Sequence, residues 1–104
     1  MNDPVFFEAA QALGARVLRE VRGSLQDRID YAYKLCLSRS ADHAESDRLI
    51  QYYQMRRAAL EREPQLVDQL FPPEGVEGID RAEAAAWVGV SSILLNLEEF
   101  ISRE

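Results

Sequence analysis

Four helix-start signals are spread through this 104-residue chain, and they constrain its fold more than any other feature. Asp3 precedes Pro4, and proline at the first helical position gives up an amide bond that was never available, while Asp caps the free amides. Ser24 with Asp27, Asp42 with Glu45, and Asp80 with Glu83 each have capping-box spacing. In such a box the first side chain accepts from the amide three residues on, and the second answers back. A chain punctuated in this way is committed to helices, and no alternating apolar pattern points to a strand.

The apolar spacing between these signals sets the helix lengths. A helix is predicted from about residue 4 to 22, with Phe6, Ala10, Leu13, Val17 and Val21 as one inward stripe and Gly23 as its stop. Arg16 and Glu20 form a charged pair on its outer side. The second helix runs from Ser24 to about Ser38, with Leu25, Ile29, Ala32 and Cys36 inward and Asp30 paired with Lys34 outside. The third continues from Asp42 to about Arg62, with Leu49, Tyr52, Tyr53, Met55 and Leu60 as its apolar side. Pro64 starts a short turn through Leu70, and the two prolines and two glycines of residues 71–79 mark a flexible loop. The last helix, about 81 to 101, is the most apolar. Trp87, Val90, Leu94, Leu97 and Ile101 share a face beside Ala86, Ile93 and Phe100, wide enough to serve several neighbours.

The expected fold is therefore all-α, a compact bundle of four long helices plus one short helical turn, with no sheet and a single domain over 1–104. With 47% hydrophobic and 29% charged residues the chain can build a core and lies outside the composition of disordered segments. No apolar run is long enough to insert into a membrane. The net charge is −6, the wrong sign for collecting phosphates, so nucleic acid is not expected as a partner. Residues 61–104 hold ten acids against three arginines, whereas residues 1–60 are nearly balanced.

Chemistry-bearing patterns are sparse. His43 lies in Asp-His-Ala-Glu, but the downstream cysteine pair that a zinc deaminase needs is absent, and His43 with Asp47 reads as a solvated first turn. Cys36 is the sole cysteine and faces inward, so it reads as a structural thiol. No Gly-rich phosphate loop or nucleophile elbow occurs. Neither a cofactor nor a metal is expected, and no catalytic residue is assigned. Arg39, at the end of the second helix, is a partner for Glu99 or Glu98 near the C-terminal end of the last one, and Asn96 is placed to bond a neighbouring loop or helix end. Asp42 and Glu45 are caps. Tyr31, Tyr52 and Trp87 are candidate interaction aromatics, although helical spacing also suits them to the core.

Three blocks resemble a known family. They are residues 1–20, the run from Asp27 to Gln54, and residues 85–104, within which Asn2-Asp3-Pro4, Leu37-Ser38-Arg39, Asp42 to Glu45 and Leu95-Asn96 to Glu99-Phe100 carry the match. Their order and spacing are similar to the C-terminal end of large planctomycete-type proteins with domain of unknown function 1553, a domain of cytochrome c-associated proteins. Ser40-Ala41 departs from the prolines frequent there. The resemblance implies a helical structural or interaction module without catalysis of its own, at the end of a longer, exported, extracytoplasmic polypeptide. Its partners would be upstream domains of that polypeptide or a second copy. The alternative expectation is a carbohydrate-binding or polysaccharide-processing accessory role built on the aromatics, and a third is a free-standing cytoplasmic adaptor.

Overall fold

A computed structural model describes residues 3–70 and 75–102, with side chains to Glu98. Its helices are α1 (Pro4–Glu20), α2 (Leu25–Leu37), α3 (His43–Leu60), α4 (Pro64–Leu70) and α5 (Arg81–Ser102), and the described residues contain no strand. All four start signals operate. Asp3 accepts from the Val5 amide at 2.9 Å, and the Ser24/Asp27 and Asp42/Glu45 boxes are closed in both directions. The fourth is only half closed. Asp80 accepts from the Glu83 amide at 3.2 Å, but the Glu83 carboxylate turns away to Arg28 on α2, 2.6 Å off. A buried cation outcompetes an exposed backbone amide for that carboxylate.

The same arginine shortens α1. The helix stops at Glu20 rather than near residue 22, because Val21 turns extended and gives its carbonyl to Arg28 Nε at 2.9 Å. Arg22 then reaches the carbonyl of Glu77 at 3.2 Å. Outside the bundle the Arg16–Glu20 pair forms as expected, at 3.1 Å. The expected Asp30–Lys34 pair does not form, since Asp30 accepts from Gln26 Nε2 at 3.1 Å and Lys34 stands exposed.

α5 is the central element and packs against α1, α2, α3 and α4. Ala84, Ala85, Ala86, Trp87, Val88, Val90, Ser91 and Leu94 are all buried, which wraps burial around most of the helix rather than one stripe. Each fully buried Leu or Val side chain contributes about 1.5–3 kcal/mol of transfer free energy, so this segment anchors the core. Small residues let its neighbours approach. A side chain at Gly14 of α1 would meet the Trp87 carbonyl at 3.2 Å and Ser91 Oγ at 3.3 Å, so α1 and α5 touch backbone to backbone there. The α1 face is accordingly Ala10, Gly14, Val17 and Leu18, with Phe6, Leu13 and Val21 only half-buried. Tyr53 stacks obliquely on Trp87, with ring centroids 6.1 Å apart.

The radius of gyration is 12.9 Å, close to the roughly 13 Å that a single compact domain of this length has. Val76 is buried and Glu77-Gly78 form a turn, so the second half of the expected flexible loop is anchored. Residues 71–74 lie outside the described residues, as do the side chains of Glu99, Phe100 and Ile101. Leu97, expected in the core, is 39% exposed.

Candidate functional site

The site begins with a reversal of the chain between α2 and α3. Ser38 caps α2 in the left-handed conformation, with φ 59° and ψ 24°, a shape that the last turn of a helix commonly adopts before the chain leaves it. The turn throws Arg39 back across α2 toward the start of α3. Its two terminal nitrogens each bond a Glu45 oxygen at 2.9 Å, a bidentate fork. Arg39 also lies over the Tyr33 ring, 5.1 Å from its centroid, and donates to the Tyr33 hydroxyl at 3.3 Å. Tyr33 donates in turn to Glu45 at 2.6 Å. Glu45 further accepts the Asp42 amide at 2.9 Å, so one carboxylate caps α3 and ties α2 to it.

These contacts set the electrostatics of the corner. The Arg39 guanidinium first, then the Tyr33 hydroxyl and the Asp42 amide, hold the Glu45 carboxyl well below the usual carboxylate range. Arg39 is held charged above its usual value, chiefly by its bonds to Glu45. Burial raises Tyr33, and the bond to Glu45 adds to that. The corner is a closed charge set in which every group already has its partner.

Behind it, α2, α3 and α5 leave a cleft of about 360 Å³. Tyr33 and Leu37 come from α2, Glu45, Arg48, Leu49 and Tyr52 from α3, and Ile93 and Leu97 from α5, with Arg39 on the rim. Its lining is mostly apolar. Gly89 on α5 sits against Tyr52. A side chain there would collide with the tyrosine hydroxyl and press within 3.2 Å of ring carbons Cε2 and Cζ. The glycine thus seats the Tyr52 ring against α5. Arg48 is exposed and pairs with no described acid. Arg39 is neutralised by Glu45, so Arg48 carries the cleft's uncompensated charge, positive on a chain whose net charge is −6.

Of the residues singled out in the sequence, Arg39, Asp42, Glu45 and Tyr52 come together here. Arg39 does not wait for an acid on α5, because Glu45 occupies its fork; Glu99 lies outside the described side chains. Asn96 is exposed on α5, with no bond to a described loop or helix end. Trp87 is fully buried against Tyr53 and offers no surface to a ligand. Tyr31 is half-buried and donates to Glu20 on α1. Of the three candidate aromatics, Tyr31 and Tyr52 therefore keep part of their surface accessible, on different faces.

Comparison with known protein families, curated proteins and solved structures finds no match.

Nothing in the sequence singles out Arg48 as a site residue, although the helical spacing that places it in the cleft is present. Glu45, Arg48, Leu49 and Tyr52 follow one face of a helix, as do Tyr33 with Leu37 and Ile93 with Leu97. Nothing in sequence alone says that these three faces converge. Elsewhere, Arg28, Glu83, Tyr53 and Arg57 surround a second, more open and more polar hollow of about 550 Å³. Its charges are engaged by Arg28–Glu83 and by Arg57 with Glu61 and Asp80, both at 3.5 Å. Cys36 is half-buried, and burial, then the nearby Glu98 charge, pushes its thiol up, away from the reactive thiolate. His43 is 97% exposed, 3.6 Å from Asp47, and no cluster of three metal-ligating side chains exists among the described residues. No described helix is long and apolar enough to cross a membrane.

Proposed function

We propose that this chain is a helical structural and interaction module with no catalytic chemistry of its own, working at the end of a larger exported polypeptide of the kind it resembles. The cleft between α2, α3 and α5 is its interaction surface. One observation carries this reading. The charged side chains at bundle corners are bonded to one another, as in Arg39–Glu45–Tyr33 and Arg28–Glu83, and hold helices together, while Arg48, beside an apolar hollow, pairs with no described acid. Groups locked in mutual pairs position a scaffold and are poorly placed to exchange protons with a substrate.

The resemblance supplies the context of the proposal. Upstream domains of the same polypeptide, or a second copy, are the partners it implies. An antibody raised to this chain, used on fractionated cells that express the native gene, reads both parts. The expected result is a band far heavier than 11.8 kDa in an extracytoplasmic fraction. A cytoplasmic band near 11.8 kDa would overturn the context and favour a free-standing adaptor.

A further inference from the structure

We propose that the cleft between α2, α3 and α5 binds a small amphipathic monocarboxylate, with its apolar body on Leu37, Leu49, Ile93 and Leu97 and its carboxylate on Arg48. The inference goes beyond the module role proposed above, because it gives the cleft a small-molecule occupant rather than a protein partner.

Three observations select that class. The hollow of about 360 Å³ falls in the range of small-molecule sites, which are concave and largely apolar with a few placed polar groups. Its lining side chains come from three helices whose contact is fixed by the core, and the Arg39–Glu45–Tyr33 set locks one wall, so the shape exists before any ligand arrives. The charge at its mouth is selective. The Arg39 fork is filled by Glu45, and its Nη1 also donates to the Ser40 carbonyl at 3.1 Å. Among the described residues Arg48 has no such partner, and a guanidinium is planar, permanently charged and matched to the two oxygens of a carboxylate. A neutral apolar ligand would leave that cation unused, and a cation would be repelled by it. A polyanion would meet the Glu45 carboxylate and the net negative charge of the chain. One carboxylate on an apolar tail satisfies all of these conditions. The tail also covers Leu97, whose 39% exposure is otherwise left at the cleft edge.

The test uses sodium octanoate and the full chain labelled with nitrogen-15, followed by amide chemical shifts. Octanoate is expected to bind saturably with a dissociation constant of about 1 mM, moving amides of α2, α3 and α5 around the cleft. Arg48→Gln is expected to weaken binding roughly fivefold, and 1-octanol to bind the parent chain as weakly as octanoate binds that variant. Leu97→Gln probes the apolar half in the same way. Both variants change exposed side chains, and unchanged far-ultraviolet circular dichroism verifies that they fold. The proposal is overturned by the absence of saturable shifts at about 10 mM octanoate, by shifts confined to α1 or α4, or by equal affinity for octanoate and octanol. Binding is read on the isolated chain, so it succeeds or fails independently of the size and compartment of the native protein.

Discussion

Replacing Glu83 by leucine should be far more damaging than replacing Glu83 and Arg28 together. The Arg28 and Glu83 side chains are 10% and 20% exposed and meet at 2.6 Å, so both charges have lost most of their water. Removing one partner of such a pair typically costs 3–5 kcal/mol, because the other is left buried and uncompensated. The remaining exposure and the Arg28 bond to the Val21 carbonyl place Glu83→Leu at the low end, about 3 kcal/mol. An unfolding entropy of about 2.1 cal/mol/K per residue makes that a fall in Tm of roughly 14 °C for a chain of this length. In the double variant Arg28→Met, Glu83→Leu the apolar replacements fill the same space with no charge to solvate, and stability should return to within about 1 kcal/mol of the parent. Urea unfolding of the parent, both single variants and the double variant closes the cycle. Because the pair is buried, moderate salt should change the coupling little. A loss of less than about 1 kcal/mol in Glu83→Leu, or a double variant that falls as far as the single one, would show that the buried charge is not left uncompensated.

Four further outcomes are expected. The folded Glu45 carboxyl is depressed, so its contribution is present above the unfolded value of about 4.3 and is lost as pH falls through the folded value; acid titration should show Glu45→Gln with a shallower loss of stability below about pH 5 than the parent. Ser38 holds a left-handed conformation that costs a non-glycine residue about 1 kcal/mol, so Ser38→Gly should raise the urea midpoint and Ser38→Val lower it. At Gly14 the neighbouring Trp87 carbonyl at 3.2 Å cannot swing aside, and Gly14→Ala should cost about 1 kcal/mol net of its better helix propensity; a higher Tm would refute the close approach. Cys36 should react with iodoacetamide more slowly than free cysteine at pH 8, since its thiol is half-buried and raised, and reaction at the free rate would show that it is exposed.

The helices were legible because their signals are local. A cap and its partner amide lie three residues apart, and an apolar stripe repeats every three or four, so both can be read without knowing what the helix packs on. The all-α class, the short turn at Pro64–Leu70 and the central position of the last helix followed from such signals. The misreadings fell where a distant residue competes for the same group. Glu83 has the sequence of a reciprocal cap, but Arg28, 55 positions earlier, takes its carboxylate; the same guanidinium draws the Val21 carbonyl and ends α1 early. Arg39 has the position of a partner for an acid on α5, but Glu45, six residues on, fills its fork once Ser38 turns the chain.

The cleft illustrates the same division. Its lining residues stand on three helix faces that the sequence marks only as apolar or charged. Which faces meet is fixed by the close approaches at Gly14 and Gly89 and by the bulk of Trp87 in the core. By itself, then, the sequence determined where helices start and that each carries an apolar stripe, because those depend on neighbours within one turn, whereas Met55, 64% exposed, and Leu97, 39% exposed, show that packing decided how much of a stripe is buried. Tertiary structure alone decided that Arg28 takes the Glu83 carboxylate, that Glu45 neutralises Arg39 and that Arg48 pairs with no described acid, because ion pairing depends on what arrives from elsewhere in the chain.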